Sequence, residues 1–329
     1  MSEKLLVAVW ETLADRGIGR LLLPWQMRRE GRAAADVERD KMLVLAQAER
    51  EVDAIRRGDV TLGPDRKLTP TDAGDAALLE KLLASSALSD QLRREVNTAR
   101  TIVRAEELIA SNTGEVPPTR PDPDWLYRWR DAAGEVSSEE LQVLWAQLLA
   151  GEFKAPGSYS RRTLECLRNL NREEAQQFTA LAPFVVDGVI WRGREDYLDG
   201  VGVSYGMLLS MQDIGLLSGV EVTGLRRTWP STETREYRAY LVCNERVLWV
   251  RHPDPKHTLE LHACLLTRVG RELLTLGSFT ADPKYLQYLG RAIEAEGYEV
   301  RLGDFRMADK EAARVSNLQP LDSQGEEKV

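Results

Sequence analysis

The sequence predicts a mainly α-helical protein with a C-terminal α+β module. Three observations predict this class: apolar residues recur at helical spacing over the first half of the chain, four short stretches in the middle each follow a helix-capping residue, and β-rich stretches occur only towards the C-terminus. The predicted parts are a long helical hairpin (1–110), a proline-rich linker (111–124), a helical core of four short helices (125–185), a winged-helix-like module (186–308) and a disordered tail (309–329).

Length and composition limit the class of protein. The 329 residues suffice for two domains, and 43% hydrophobic with 29% charged residues is ordinary for a soluble globular protein. A net charge of −8 provides no general attraction to nucleic acid or anionic lipid, although a local basic patch can still exist. Three cysteines without a CxxC motif predict a reducing, cytoplasmic location. Charged residues interrupt the N-terminal apolar runs, so neither a signal peptide nor a membrane span is predicted.

Two long helices are predicted in the first third of the chain. Residues 3–57 indicate helix with a joint near Gly17–Pro24, and a second helix is predicted at 88–109. The apolar stripe of the first helix consists of Val37, Leu45, Ala48, Val52 and Ile55. The stripe of the second, with spacings of four, four, three and four, consists of Leu88, Leu92, Val96, Ala99 and Val103. Because each stripe is narrow, the helices are expected to pack on each other or across a dimer axis. We therefore predict that 1–110 forms a homo-oligomer interface or binds a protein partner.

The linker and the core are predicted from turn and capping signals. Four prolines give 111–124 an extended, semi-stiff character. The predicted helix caps are Asp124, Ser137, Ser160 and Asn171, with Ser137 and Glu140 forming a capping box. The helix after Ser137 carries a buried stripe of Leu141, Leu144, Trp145, Leu148 and Leu149.

The C-terminal module is predicted to mix strands with helices. Stretches rich in Val, Leu, Tyr and Trp with partial alternation indicate strands at 184–191, 219–229, 235–252, 257–267 and 298–307. Helices are predicted at 205–217, at 268–276 and from Asp282-Pro283 onwards. The order of helix, β-hairpin and helix is typical of winged-helix modules.

Several motifs in the core resemble a known family. They are Asp-Trp-Leu at 124–126, LQxLWAxLLAGE at 141–152, PGSxSxxTL at 156–164 and EAxxF at 174–178, with weaker echoes at Arg94-Glu95-x-Asn97 and at 266–273. This set resembles an uncharacterised bacterial domain-of-unknown-function family and, more distantly, the abortive infection alpha proteins, which are thought to act in phage defence. The resemblance implies a shared fold and a bacterial or phage context, but neither an activity nor catalytic residues.

The histidines suggest one candidate metal site. His252, His257 and His262 are close in sequence, and Cys264 would share a strand face with His262. Three imidazoles and a thiol could hold a tetrahedral zinc ion, although their spacing matches no standard zinc finger. The alternative is a chance grouping of histidines around a loop. No other cofactor is predicted.

A basic cluster suggests a nucleic-acid site. Arg226, Arg227 and Trp229 are flanked by Arg235 and Arg238 in a predicted hairpin. Arginines beside an aromatic ring would suit phosphate contacts and base stacking. The alternative is an ordinary solvated hairpin.

These observations favour a binding protein over an enzyme. No phosphate-loop, dinucleotide, zinc-protease or nucleophile-elbow motif occurs in a fitting context, so no catalytic residue is predicted. We expect a scaffold, effector or regulator that acts through protein contacts, in the context of bacterial anti-phage defence. The alternatives are a nucleic-acid-binding regulator that uses the C-terminal module and a metal-dependent hydrolase built on the histidines.

Overall fold

The computed structural model describes residues 9, 12, 13, 60–62, 68–70, 76–110, 117, 119–222, 225–309 and 312–321. The chain forms two compact units, residues 1–164 and residues 165–329. Helices together with antiparallel sheets in the C-terminal part agree with the predicted mix of α and β structure. The predicted helix at 3–57 and its stripe lie outside the described residues, apart from the buried Val9, Thr12 and Leu13. The N-terminal hairpin therefore stays a prediction.

The N-terminal unit is built on one long helix. Its elements are the antiparallel pair β1 (Val60–Leu62) and β2 (Leu68–Pro70), and the helices α1 (Ala76–Ala110), α2 (Pro123–Glu135) and α3 (Glu139–Lys154). Helix α1 packs against both α2 and α3. Helix α4 (Arg161–Asn169) crosses the boundary between the units.

The packing of α1 corrects the predicted domain division. The linker was expected to separate a helical arm from the core, but α1, α2 and α3 share one unit, and the boundary between units falls inside the predicted core. The linker is also shorter than predicted, because Pro121 is buried and Pro123 already begins α2. The physical reason is that the face of α1 that packs against α2 and α3 includes polar residues, which the apolar pattern does not reveal. Its buried residues are Asn97, Thr98, Thr101, Ile102, Ala105, Glu106 and Ile109.

Two of the four predicted caps need correction. Asp122, not Asp124, caps α2, and its carboxylate accepts the N–H of Trp125 at 2.9 Å. Pro123 then occupies the first helical position, where its missing N–H costs nothing. Ser138, not Ser137, caps α3, and its hydroxyl accepts the N–H of Leu141 at 3.3 Å, so the predicted capping box of Ser137 with Glu140 is wrong.

The other two caps lie where the sequence places them. The hydroxyl of Ser160 accepts the N–H of Thr163 at 3.3 Å at the start of α4. Asn171 and Glu174 form a reciprocal capping box at the start of the next helix, α5.

The C-terminal unit combines short helices with two sheets. Its further helices are α5 (Arg172–Leu181), α6 (Glu195–Gly200), α7 (Tyr205–Asp213), α8 (Arg268–Leu274) and α9 (Pro283–Ala295). In one sheet, β8 (Leu259–Leu266) pairs antiparallel with β3 (Val189–Trp191), β4 (Leu217–Ser218) and β5 (Arg226–Trp229). The other sheet has the order β10-β9-β7-β6, with β6 (Tyr237–Cys243), β7 (Arg246–His252), β9 (Glu299–Asp309) and β10 (Ala312–Pro320).

The sheet of order β10-β9-β7-β6 has one buried face and one partly solvated face. On β6 and β7 the central residues of one face, Leu241, Leu248 and Val250, are fully buried. Helix α9 packs against β9 on that side, and its Gly290 lies close enough that a Cβ atom would be 3.5 Å from Leu248. Intervening side chains such as those of Tyr240, Trp249 and Arg251 therefore project to the opposite face, which is partly exposed at these positions, whereas Val247 on the same face is buried.

The predicted disordered tail is wrong for residues 312–320, which form β10 beside β9. The stretch has few apolar residues, but a strand at a sheet edge is held mainly by backbone hydrogen bonds to its neighbour, which composition does not reveal. Residues 310–311 and 322–329 lie outside the described residues. The likeness to a winged helix stays a prediction.

Across the parts of the chain that the structure describes, no helix combines the length and apolar character needed to cross a bilayer. This agrees with the prediction of no membrane span.

Candidate functional site

The predicted zinc ligands lie in different surroundings. His252 ends β7 and His257 follows in the next loop, and their rings stack with centroids 3.9 Å apart. The Nδ1 atom of His252 accepts the backbone N–H of Asp254 at 3.1 Å. The ring of Tyr298 packs edge-on against both imidazoles. This pair of histidines is thus held by stacking and by a local turn.

The other two predicted ligands are on β8. His262 is exposed and lies opposite Arg226, whereas Cys264 is fully buried with its thiol directed at the carbonyl of Ile190. Burial raises the pKa of the Cys264 thiol to about 11, which opposes formation of the thiolate that binds zinc. Among the described residues, no group of three or more His, Cys, Asp or Glu side chains is placed to hold a metal ion. Zinc binding by this quartet stays a prediction.

Trp229, the aromatic of the predicted nucleic-acid set, has a structural role. It is 5% exposed, and its indole Nε1 donates to the carboxylate of Asp187 at 2.9 Å. Asp187 has a φ of +48° in the turn before β3, which shortens the strand predicted at 184–191. Burial raises the pKa of Asp187, while the hydrogen bond from Trp229 opposes that rise. The arrangement ties β5 to the turn, and the indole is not available for stacking on a base.

The predicted arginines do not share one surface. Arg226 lies on β5, 3.8 Å from the carboxylate of Glu260, whereas Arg238 lies on β6 of the other sheet. Arg227 is placed with its guanidinium carbon 5.8 Å from the ring centroid of Trp229, and Arg235 is exposed between the two strands. Of the five predicted residues, only Arg238 lies on the partly solvated face of the β10-β9-β7-β6 sheet.

On the partly solvated face of the β10-β9-β7-β6 sheet, charged side chains from adjacent strands form a row of ion pairs. Arg238 lies opposite Arg251, and Arg251 lies opposite Glu299. The Nε of Arg251 donates to Glu236 at 2.6 Å, and its Nη1 donates to Glu299 at 3.2 Å. Arg238 also donates to Glu236. Hydrogen bonds from Arg251 lower the pKa of Glu236, and those from Arg301 lower the pKa of Glu299.

A row of aromatic and cationic side chains adjoins the ionic row. Tyr240 lies opposite Trp249, and Trp249 lies opposite Arg301. The guanidinium carbon of Arg301 is 5.4 Å from the ring centroid of Trp249, a cation–π contact. We call the two rows together the outer sheet face, defined by Arg238, Tyr240, Trp249, Arg251, Glu299 and Arg301. Apart from Arg238, sequence analysis missed it, although two-residue alternation in Tyr237–Cys243 signals one solvated side.

In the segment that carries the family motifs, the polar residues form hydrogen bonds that stabilise the fold. Glu152 is 1% exposed, and its carboxylate accepts the N–H of Gly157 at 2.6 Å and the N–H of Tyr159 at 3.1 Å. A Cβ on Gly151 would lie 2.6 Å from the ring of Tyr159, so a larger residue here would displace that ring. Arg161 donates to both Asp122 and Asp124, at 3.0 and 3.2 Å. The motifs at 141–152 and 156–164 therefore include the residues that hold the folded turn between α3 and α4.

The same segment is the one that comparison with known families identifies. Residues 88–189 match the model of a family described as a protein of unknown function (DUF2806). The resemblance to a family of unknown function is thus confirmed, and the match brings no support for the more distant likeness to abortive infection proteins. Comparison with curated proteins and with solved structures gives no match for the chain.

Proposed function

We propose that the protein is a non-enzymatic scaffold or effector that acts through protein contacts and associates with itself through α1. The matched family has no described activity, so the proposal rests on the structure of α1. One observation supports this proposal. The apolar stripe predicted on α1 is not the stripe that α1 buries against α2 and α3.

The two stripes lie on different sides of the helix. At about 100° per residue, the mean direction of the buried residues between Asn97 and Ile109 and that of the stripe from Leu88 to Val103 differ by roughly 120° around the axis. The first set is buried, whereas Leu88 in the second set is 58% exposed and the other four members are half-buried. Leu88 is the most exposed large apolar side chain among the described residues.

The spacing of the outward stripe suits a second helix. Its members recur at intervals of four and three residues, the pattern by which two helices interlock side chains along a seam. Such a seam between two copies would be isologous, because the same stripe lies on each chain. Transfer of Leu88 from water into this seam would add roughly 1.5–3 kcal/mol, the usual range for a leucine side chain.

The experiment compares two exposed apolar residues in the N-terminal unit. Light scattering and sedimentation on the full-length protein should show a dimer or larger assembly at tens of micromolar. Leu88→Arg should shift it to monomer, because an arginine in the seam must be desolvated. Tyr127→Arg, at a position 42% exposed on α2, is the matched control and should leave the assembly unchanged.

The outcomes separate cleanly. A monomeric full-length protein, or an assembly that tolerates Leu88→Arg, would remove the support for a scaffold that associates through α1. The defence context rests on the resemblance of the sequence alone. A phage-plating assay with wild-type protein and the Leu88→Arg variant would test it.

A further inference from the structure

We propose that the outer sheet face binds single-stranded nucleic acid, with bases stacked on Tyr240 and Trp249 and phosphates held by the neighbouring arginines. This goes beyond the scaffold role, because it concerns the other unit and other residues. It also moves nucleic-acid binding away from the predicted hairpin, where Trp229 is buried.

The aromatic pair is placed as a stacking platform requires. Tyr240 and Trp249 are directly opposite on adjacent antiparallel strands, so their Cβ atoms are roughly 5 Å apart and their rings share one face. Tyr240 is 37% exposed, and Trp249 is partly exposed. Aromatic rings on a solvated antiparallel sheet can accept bases from a single strand, because every base has a π face. Bases inside a duplex do not offer these faces.

The cations on this face are all arginines. Arg238, Arg251 and Arg301 come from three adjacent strands, and the sequences of these strands contain no lysine. The planar guanidinium group both stacks on aromatic rings and binds phosphate through paired N–H donors, whereas the ammonium of lysine provides only a point charge. Arg301 already stacks on Trp249, which places a phosphate-binding group beside a base-binding ring.

The carboxylates on the face set the electrostatics. Three glutamates, Glu233, Glu236 and Glu299, pair with the three arginines, so the unliganded face is close to neutral. The pairs that Arg251 and Arg301 form with Glu299 are exposed and contribute little, with a median of about 0–1 kcal/mol, so a phosphate can replace Glu299 at small cost. Affinity should therefore come mainly from stacking. Its logarithm should fall with the logarithm of salt concentration at a slope no steeper than about −2, the value for three phosphate contacts on a single strand.

The edge of β6 disfavours an added peptide strand as the ligand. At one end, the N–H of Arg238 donates to the Ser231 hydroxyl at 3.0 Å, and the carbonyl of Arg238 accepts the N–H of Thr232 at 2.7 Å. At the other end, both backbone groups of Val242 bond to Asp187. A peptide that extends the sheet would have to displace these bonds. The face of the sheet, and not its edge, is the accessible feature.

The test measures fluorescence anisotropy of labelled oligodeoxythymidine and oligouridine of about 12 nucleotides with the full-length protein, within the range of known single-strand site sizes. Tyr240→Ala should weaken binding about 5- to 150-fold, the loss expected when one base loses its stacking partner. Trp249→Ala should weaken it by a similar factor, whereas Trp249→Phe keeps a ring and should restore most of the affinity. Binding of either oligonucleotide supports the proposal, and a preference between them would report on the 2′-hydroxyl.

Matched variants control for general effects. Tyr205→Ala removes a tyrosine that is 49% exposed elsewhere in the same unit, and it should leave binding unchanged. Arg301→Gln should weaken binding, whereas Arg226→Gln, on the other sheet, should not. Because Leu88 lies outside this unit, failure of the scaffold proposal would not alter these results.

Four binding results would overturn the proposal, and one sedimentation result would do the same. The binding results are no single-strand binding by the wild type, equal binding of a duplex of the same length, wild-type affinity in Tyr240→Ala, and an equal loss in Tyr205→Ala. A change in the sedimentation of the protein alone on Tyr240→Ala would also overturn it, because the face would then be a protein interface.

Discussion

Replacement of Glu152 should destabilise the N-terminal unit more than any change at an exposed glutamate. The carboxylate of Glu152 is 1% exposed and accepts backbone N–H groups from Gly157 and Tyr159 in the turn that follows α3. A hydrogen bond to a charged group contributes about 1.5–3 kcal/mol. Glu152→Ala removes both bonds, and because water can reach a relaxed turn, we expect the free energy of unfolding to fall by about 3–5 kcal/mol. Glu152→Gln keeps one acceptor and should cost roughly half as much.

Urea unfolding would measure these losses, and Glu140→Ala on the same helix is the matched control. Glu140 is exposed in the first turn of α3, where its interaction with the helix dipole contributes at most about 1 kcal/mol. Because two units can unfold separately, hydrogen exchange provides a local check. The amides of Gly157 and Tyr159 should exchange much faster in Glu152→Ala. A stability loss no larger than that of Glu140→Ala, with these amides still protected, would refute the role of Glu152 as a clamp.

Four further predictions concern a helix cap, a core tryptophan, the proposed zinc ligands and the linker. The hydrogen bond from the N–H of Trp125, with Arg161, holds the pKa of Asp122 below its usual value, so its stabilisation is present at neutral pH and is lost as the pH falls through the folded pKa. Asp122→Ala should therefore cost about 1 kcal/mol near neutral pH and less below about pH 4, whereas Asp122→Asn keeps a cap at every pH. Trp145 is 1% exposed, so Trp145→Ala should cost about 3–5 kcal/mol in thermal or urea unfolding, and loss of function at full stability would instead make it a contact residue. If His252, His257, His262 and Cys264 bind zinc, metal analysis should find about one equivalent. Metal-free protein whose melting is insensitive to chelator would end that idea. Limited proteolysis should cut within 111–120 before any site in α1 or α2. Resistance of this segment to the protease would contradict the prediction that it is an exposed linker.

Local signals predicted the elements that local chemistry determines. Asn171 and Asp282 cap their helices as expected, because the capping side chain and the N–H groups it accepts are within four residues. The turn between β6 and β7 was missed: strand was predicted throughout 235–252, whereas Asn244 adopts a φ of +52° and the chain reverses there.

Burial of polar residues on α1 could not be predicted from an apolar stripe. Asn97 is 4% exposed because its amide donates to the carbonyl of Gly134 and to the hydroxyl of Ser137. Thr101 is fully buried because its hydroxyl donates to the carbonyl of Asn97. These partners lie about 40 residues away or within the helix backbone, so a count of apolar positions assigns this face to solvent.

The outer sheet face was missed for a related reason. Its rows exist only in the register of β6, β7 and β9, and β9 begins 47 residues after the end of β7, since residue 299 follows residue 252. Tyr240 and Trp249 are close in sequence, but nothing local places Arg301 above Trp249. Arginines scattered along a sequence become one surface only when strand pairing is known.

An effector that responds to nucleic acid needs coupling between the outer sheet face and the stripe on α1. Coupling between two binding events is reciprocal: if an oligonucleotide tightens self-association by some factor, self-association must tighten oligonucleotide binding by the same factor. Leu88→Arg, which should keep the protein monomeric, therefore provides a direct measurement. If the two surfaces are coupled, this variant should bind the oligonucleotide several-fold more weakly than the wild type, although Leu88 lies in the other unit. Equal affinity in both proteins, measured where the wild type is assembled, would show that the surfaces act independently and that nucleic acid is not the signal for assembly.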